Sequence, residues 1–208
     1  MSINTTEAQK AWKNYQGDPN KNRWDFANQA LYDLCSRHPQ HNNADEIVAK
    51  VWMIGRCYAA DVKRTPVAKN VSGCFYYDNI APAIKKQGQA LDSLIDQINQ
   101  GVQQGTNVEN LVLNAHGMLV NIFKSVTKRE NRSLASKYLH FHCPQAVFIF
   151  DSDASGKIKT LVKANTKSGK NKVYVDFYKK ATELKKYYEN EYKVNLTPRE
   201  MDKLLREY

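Results

Sequence analysis

The chain has 208 residues, of which 42% are hydrophobic and 11% aromatic, enough to bury a core in one globule or in two closely packed lobes. Its 31 Lys and Arg against 21 Asp and Glu leave a formal charge of +10 and a pI near 9.3, which favours DNA, RNA or an acidic membrane face as partner without choosing among them. No apolar run approaches the ~18 to 20 residues of a membrane span, and MSINTTEAQKAWKNYQ lacks the apolar core of a secretion signal, so a cytoplasmic protein with no membrane partner is expected.

Residues 5 to 16 and 22 to 37 read as amphipathic helices, the second carrying Trp24, Phe26, Ala27, Leu31, Leu34 and Cys35 at helical spacings, with Pro39 ending it. The segment HNNADEIVAKVWMIGRCYAADVKR starts with Asn43 or Asp45 as caps and places Ile47, Val51, Ile54, Tyr58 and Val62 on one helical face. Arg56, Lys63 and Arg64 near its end suit either the helix dipole or a phosphate. Beyond a loop from Pro66 to Gly73, IAPAIKKQGQALDSLIDQINQ predicts one helix and GTNVENLVLNAHGMLVNIFKSVT another, capped by Thr106 or Asn107. SLASKYLHF adds a short helix. AVFIF and KVYVDFY have strand composition, but an extended connector fits the first better in so helical a chain. The end of the chain predicts two more helices, the last opened by Thr197, Pro198 and Glu200 as a capping box. Residues 1–208 are thus expected to form a mostly α, compact multi-helix fold, with its site within 128–160.

Cys35, Cys57, Cys74 and Cys143 stand far apart without a C-x-x-C pair and are expected reduced and mostly buried. Cys143 with His140 and His142 raises the question of a metal, but a closed zinc site takes about four ligands and no second pair matches. No metal, cofactor or obligate protein partner is expected.

The segment richest in chemistry is RENRSLASKYLHFHCPQAVFIFDSDASGKIKTLVK, residues 129 to 163. A basic approach leads into a small-residue helix, a proline, an apolar run and then Asp151 at the start of another helix. Burial and backbone donors there can tune a carboxylate, and equally Asp151 or Ser152 makes a good N-cap. In SLASKYLHF followed by CPQAVFIFDSDA, the sequence resembles the helix-hairpin-helix DNA glycosylase superfamily, including its 8-oxoguanine glycosylase-like branch. That family has a hairpin, a helix beginning near a catalytic lysine in lyase-competent members, and an apolar stretch ending in the essential aspartate. The resemblance implies Asp151 as the catalytic carboxylate. It puts Ser133 near the nucleophile position and Lys137 one helical turn later, which implies a monofunctional glycosylase acting on damaged or modified DNA in repair or in defence against modified phage DNA. KRENRS stands where the family hairpin has G-x-G.

Lys137 then serves as an electrostatic aid, as a nucleophile in a displaced alignment, or simply as an exposed helix lysine. His140 and His142 suit an extruded nucleotide or a phosphate, and also suit ordinary surface histidines. Lys128, Arg129, Asn131, Arg132 and Ser133 are placed to hold DNA, as are Ser155, Lys157 and Lys159. The run from Ala154 to Val175 contains Lys157, Lys159, Lys163, Lys167, Lys170 and Lys172 with no acidic residue, a phosphate-binding segment or a solvated basic loop. Tyr76, Tyr77 and Tyr138 are the candidates for a base pocket. Two other readings use the same residues: a noncatalytic nucleic-acid-binding protein with a degenerate glycosylase fold, and a protein-interaction or stress-response factor working through ELKKYYENEYKVNLTPREMDKLLREY. That run fits equally an amphipathic helix closing the domain.

Overall fold

The computed structural model describes residues 1–64, 66–69, 73–163 and 173–207. In chain order they form β1 (Ser2–Ile3), α1 (Thr5–Gly17), α2 (Asp25–Arg37), α3 (Ala44–Cys57), α4 (Pro66–Lys69), α5 (Ala81–Lys86), α6 (Gly88–Gln103), α7 (Glu109–Thr127), α8 (Arg132–His142), α9 (Ser152–Leu161), β2 (Val162–Lys163), α10 (Val173–Tyr192) and α11 (Pro198–Glu207). The protein is mostly helical, and among the described residues no helix is long and apolar enough to cross a membrane. The chain divides into two compact units, one of Met1–Asp25 with the chain from Phe148 onward and one of Phe26–Val147.

Local chemistry sets the helix starts. Asn43 accepts the Asp45 and Glu46 N–H groups to open α3, and Asn107 accepts the Glu109 N–H at the start of α7. At α11 the box is reciprocal: Thr197 N donates to Glu200 Oε2 at 2.7 Å and Glu200 N to Thr197 Oγ1 at 3.2 Å. Three expectations change. The helix begun at Ala44 stops at Cys57, because Ala59 turns left-handed (φ 53°), so Tyr58 and Val62 do not continue its face. The single helix expected over 80–100 is two, preceded by a π-helical turn at Tyr76–Ile80 and broken at Gln87. That break precedes Gly88, where a Cβ would stand 2.5 Å from the His41 carbonyl oxygen, so only glycine lets the His41 turn come this close. VYVDFY, with its strand composition, forms the first turns of α10.

In the first unit, β1 and β2 pair antiparallel (Ser2 with Lys163, Ile3 with Val162), and α1 packs on α11 and α9. Trp12 stacks on Tyr192 at 4.6 Å between ring centroids, and the buried Tyr188 hydroxyl donates to the Ala8 carbonyl at 2.9 Å. Met201, Leu204 and Leu205 of α11 are buried, so the C-terminal run closes this unit's core. Asp202 is drawn inward between Arg199 and Arg206.

In the second unit α7 packs against α5, α6 and α8, and α3 against α5 and α8. The core is Ile47, Val51 and Ile54 from α3, Leu91 and Ile98 from α6, and Leu119 and Phe123 from α7. Buried Lys50 donates to the His38 and Gln40 carbonyls at 2.7 and 2.9 Å, fixing the turn that carries His41. Burial pushes its ammonium down to about 8.

Candidate functional site

Four residues, 128–131, turn the chain from α7 into α8. Glycines are absent from this turn, and it closes through two left-handed residues, Lys128 (φ 61°) and Asn131 (φ 44°). Thr127 supplies the brace. Its hydroxyl accepts from the Arg129 N–H at 3.1 Å and from Asn131 Nδ2 at 2.6 Å, and lies 2.8 Å from the Phe123 carbonyl. Asn131 Nδ2 also reaches the Arg129 carbonyl at 3.0 Å, and His116 of α7 donates Nε2–H to the Arg132 carbonyl at 3.2 Å. Lys128 and Arg129 are exposed at the tip; Lys128 Nζ donates to the Ser125 carbonyl at 2.9 Å. Arg132 pairs with Glu130, which Lys124 also approaches at 3.4 Å. Between Lys124 and Arg132 there are four cations and one acid.

Ser133, half-buried in the first turn of α8, meets Lys137. Helical side chains lean toward the N-terminus, so Lys137 Nζ reaches back four residues to Ser133 Oγ at 3.0 Å. It also donates to the Tyr58 carbonyl at 3.3 Å and sits 5.5 Å from the centroid of that tyrosine's ring. Lys137 is 3% exposed, which corrects the reading of it as an exposed helix lysine: Tyr58, beyond the end of α3, covers it.

The histidines of α8 also lie inside, which corrects their reading as surface residues. His140 donates Nδ1–H to the Val147 carbonyl at 2.7 Å and accepts from the Tyr32 hydroxyl at 2.7 Å. The buried His142 ring lies 5.0 Å from that of His41 and 5.1 Å from that of Tyr138, and among the described residues its Nε2 has no hydrogen-bond partner. Burial holds it well below the ordinary histidine value. Tyr138 is buried and donates its hydroxyl to His41 Nε2 at 2.7 Å, while His41 Nδ1 donates to Asp92 at 2.5 Å. Tyr76 is buried on Asp61, which also pairs with Arg56, and Tyr77 is 44% exposed. These three tyrosines are not among the residues lining a cavity of about 640 Å³ in this unit; Gln40, His41, Asn42, Lys85, Asp92 and Asp96 are among those that do. His41, Lys50, Asp61 and Asp92 are the residues that sequence reasoning missed. Their partners stand up to 97 residues away, as in His41 with Tyr138, and no local pattern marks them. Among the described residues no group of three or more His, Cys, Asp or Glu is placed to hold a metal.

Asp151, Ser155, Lys157 and Lys159 belong to the first unit. The connector before Asp151 is held on α10: the Phe148 ring lies 5.2 Å from Tyr178, the Phe150 ring 5.2 Å from Phe177, and the Tyr174 hydroxyl donates to the Phe148 carbonyl at 3.1 Å. This anchoring delivers Asp151, half-buried, as the N-cap of α9, where Oδ1 accepts the Ala154 N–H at 2.9 Å. Ser155 is buried, and Lys157 donates to the Arg206 carbonyl near the end of α11 at 2.6 Å. Lys159 and Lys163 are exposed. Lys167, Lys170 and Lys172, with Ser168 and Gly169, lie outside the described residues.

Comparison with protein-family models, curated proteins and solved structures finds no match.

Two outcomes are expected from this geometry. Lys128 occupies a left-handed position that costs an L-residue about 1 kcal/mol, so Lys128→Gly should leave stability unchanged or raise it by up to about 1 kcal/mol in urea unfolding. A clear destabilisation would mean that the Lys128–Ser125 contact matters more than the backbone. Burial pushes His116 down to about 4, below its ordinary 6.5. The unfolded chain therefore takes up its proton first as pH falls. The stability from neutral His116 is fully present above pH 6.5 and is lost as pH drops toward 4, by about 3 kcal/mol. His41 and His142, both lowered by burial, act in the same sense. Comparing urea midpoints at pH 7 and pH 5, His116→Gln should show a smaller acid loss than wild type; an equal loss would exclude His116 as a contributor.

Proposed function

We propose that this protein grips DNA at the α7–α8 hairpin and removes a damaged or modified base by hydrolysing its N-glycosidic bond, in repair or in defence against modified phage DNA. The observation that carries this reading is the helix, four-residue turn and helix formed by residues 109–142, with Lys128 and Arg129 exposed at its tip. Such a turn presents cations to a phosphate; its Lys128 and Arg129 N–H groups are held by the Lys124 carbonyl and Thr127 Oγ1, and Asn131 leaves the first N–H groups of α8 without a side-chain cap. The resemblance of SLASKYLHF and CPQAVFIFDSDA to the helix-hairpin-helix glycosylases supplies the rest: Asp151 ends the segment that follows α8 in sequence.

In this reading the target nucleotide is extruded from the stack. The bond from C1′ of the sugar to the base breaks, the base leaves with the electron pair, and water adds at C1′ to give an abasic site. Asp151, oriented by its bond to the Ala154 N–H, stabilises the positive charge on the sugar and takes the proton of the attacking water. A second reading, a DNA-binding protein without catalysis, draws on the same bond, since Asp151 then does no more than cap α9.

The test is base release from labelled DNA carrying damaged and modified bases, followed by alkali. Asn is as good a cap as Asp, so Asp151→Asn should fold normally and lose release by about 10²-fold or more. Arg129→Ala should weaken DNA binding and lower the salt slope by about 1. Release undiminished in Asp151→Asn would remove Asp151 from the chemistry. DNA binding without release from any substrate would favour the second reading.

A further inference from the structure

The four cations of the α7–α8 hairpin are not equivalent. Lys128 is exposed at the tip with its Nζ on the Ser125 carbonyl, a neutral acceptor, and Arg129 is exposed beside it. Lys124, in the last turn of α7, and Arg132, the first residue of α8, instead converge on one carboxylate. Lys124 Nζ approaches Glu130 Oε1 at 3.4 Å, and Arg132 Nη2 donates to Glu130 Oε2. With this clamp closed, two of the four cations are taken up inside the protein and Lys128 and Arg129 alone face a ligand.

Each partner in the clamp follows from its place on the helices. Lys124 stands at the C-terminal end of α7, where the helix dipole stabilises a cation. Arg132 stands at the opposite, positive end of α8, and the left-handed Asn131 before it supplies no side-chain cap. A cation added to a positive helix end makes a field that attracts an anion. Glu130 meets that demand from within the turn. The residues on either side of it are braced by Thr127, which accepts the Arg129 N–H and the Asn131 side chain, so the carboxylate is tethered within reach of both cations. A tethered anion competes at a high effective concentration against one arriving from solution. Two cations sharing the oxygens of one anion is also how a phosphate of a DNA strand is held, and here the chain's own carboxylate fills the place.

We propose that Glu130 latches the hairpin: Lys124 and Arg132 form a second phosphate site, which the Glu130 carboxylate fills and withholds from DNA. This rests on the DNA-binding reading above and gives that surface its regulation. Affinity restrained in this way keeps a protein that must inspect many bases exchanging between sites on the strand. The experiment uses the full chain and a short fluorescently labelled DNA duplex, with anisotropy read across a salt series. Glu130→Gln keeps the shape of the side chain and removes its charge. It should tighten binding by about 10- to 30-fold at about 0.15 M salt and steepen the salt slope by about 1.8, the equivalent of two further phosphate contacts. Lys124→Ala and Arg132→Ala should change the affinity of wild type by less than about 2-fold. In the Glu130→Gln background each should weaken binding by about 3- to 5-fold and take back about 0.9 of the slope. The three side chains are exposed or half-buried, and unchanged urea midpoints check that the variants fold. Glu130→Gln binding the duplex as wild type does would overturn the latch and leave the hairpin reading standing. Alanine variants that weaken binding equally in both backgrounds would do the same, since Glu130 would then act only as one repelling charge. Failure of both wild type and Glu130→Gln to bind duplex at low salt would overturn the latch and the hairpin reading together.

Discussion

Thr127 is the constraint on which the second unit's best-defined feature depends. A turn of four residues between two packed helices must redirect the backbone in very few dihedrals, and the usual means is glycine at positive φ. Here Lys128 and Asn131 take those positions, each at a cost, and the Thr127 hydroxyl offsets it by bonding the Arg129 N–H and the Asn131 side chain. Thr127 can do this because it is the last residue of α7 and is buried, so its hydroxyl points into the turn instead of into water. The length of the turn then fixes where α8 starts, and with it which residues lie at its exposed end and which point inward.

The inward side of α8 is polar to a degree unusual for a core helix. Ser136, Lys137, Tyr138, His140 and His142 are all buried. Burying such groups is tolerable only when they are hydrogen-bonded, and most of these are tied to segments distant in sequence: Lys137 to Tyr58, Tyr138 to His41, and His140 to Tyr32 besides the nearby Val147 carbonyl. Apolar side chains can slide past one another, but a hydrogen bond at 2.7 Å cannot. These bonds therefore set the register of α8 against the turns at His41 and Tyr58, and Lys50 holds the first of those turns by its carbonyls. His142, with a buried and unpartnered Nε2 among the described residues, is the exception, and burial keeps it neutral.

Much of this was legible in the sequence, and the limits have physical causes. Helix identity followed from the apolar period and from caps that act within three residues, such as Asn43 and the Thr197–Glu200 box. The break at Gln87 was not legible, because the reason for Gly88 is the His41 carbonyl 47 positions earlier in the chain. VYVDFY has strand composition, but Tyr174, Phe177 and Tyr178 serve the connector at Phe148 and Phe150 from a helix, so tertiary packing outweighed β propensity. Among the candidate site residues, those at the hairpin tip and at the cap of α9 follow from local pattern. The burial of Tyr138, His140 and Lys137 depends on partners that periodicity cannot name, and an alternating polar and apolar stretch such as SKYLHFH gives no stripe that separates core from surface.

Ser133 and Lys137 illustrate the difference between a position in sequence and a position in space. Counted along the chain, the first turn of α8 offers a serine and the lysine comes four residues later. On a helix four residues are one turn, a lysine side chain is long enough to span it, and its lean toward the N-terminus carries Nζ to within 3.0 Å of Ser133 Oγ. The first turn therefore holds a hydroxyl and an amine together, the amine screened from water by the Tyr58 ring. An interval count along the chain finds serine at this position, but on the helix the amine of Lys137 stands in the same turn.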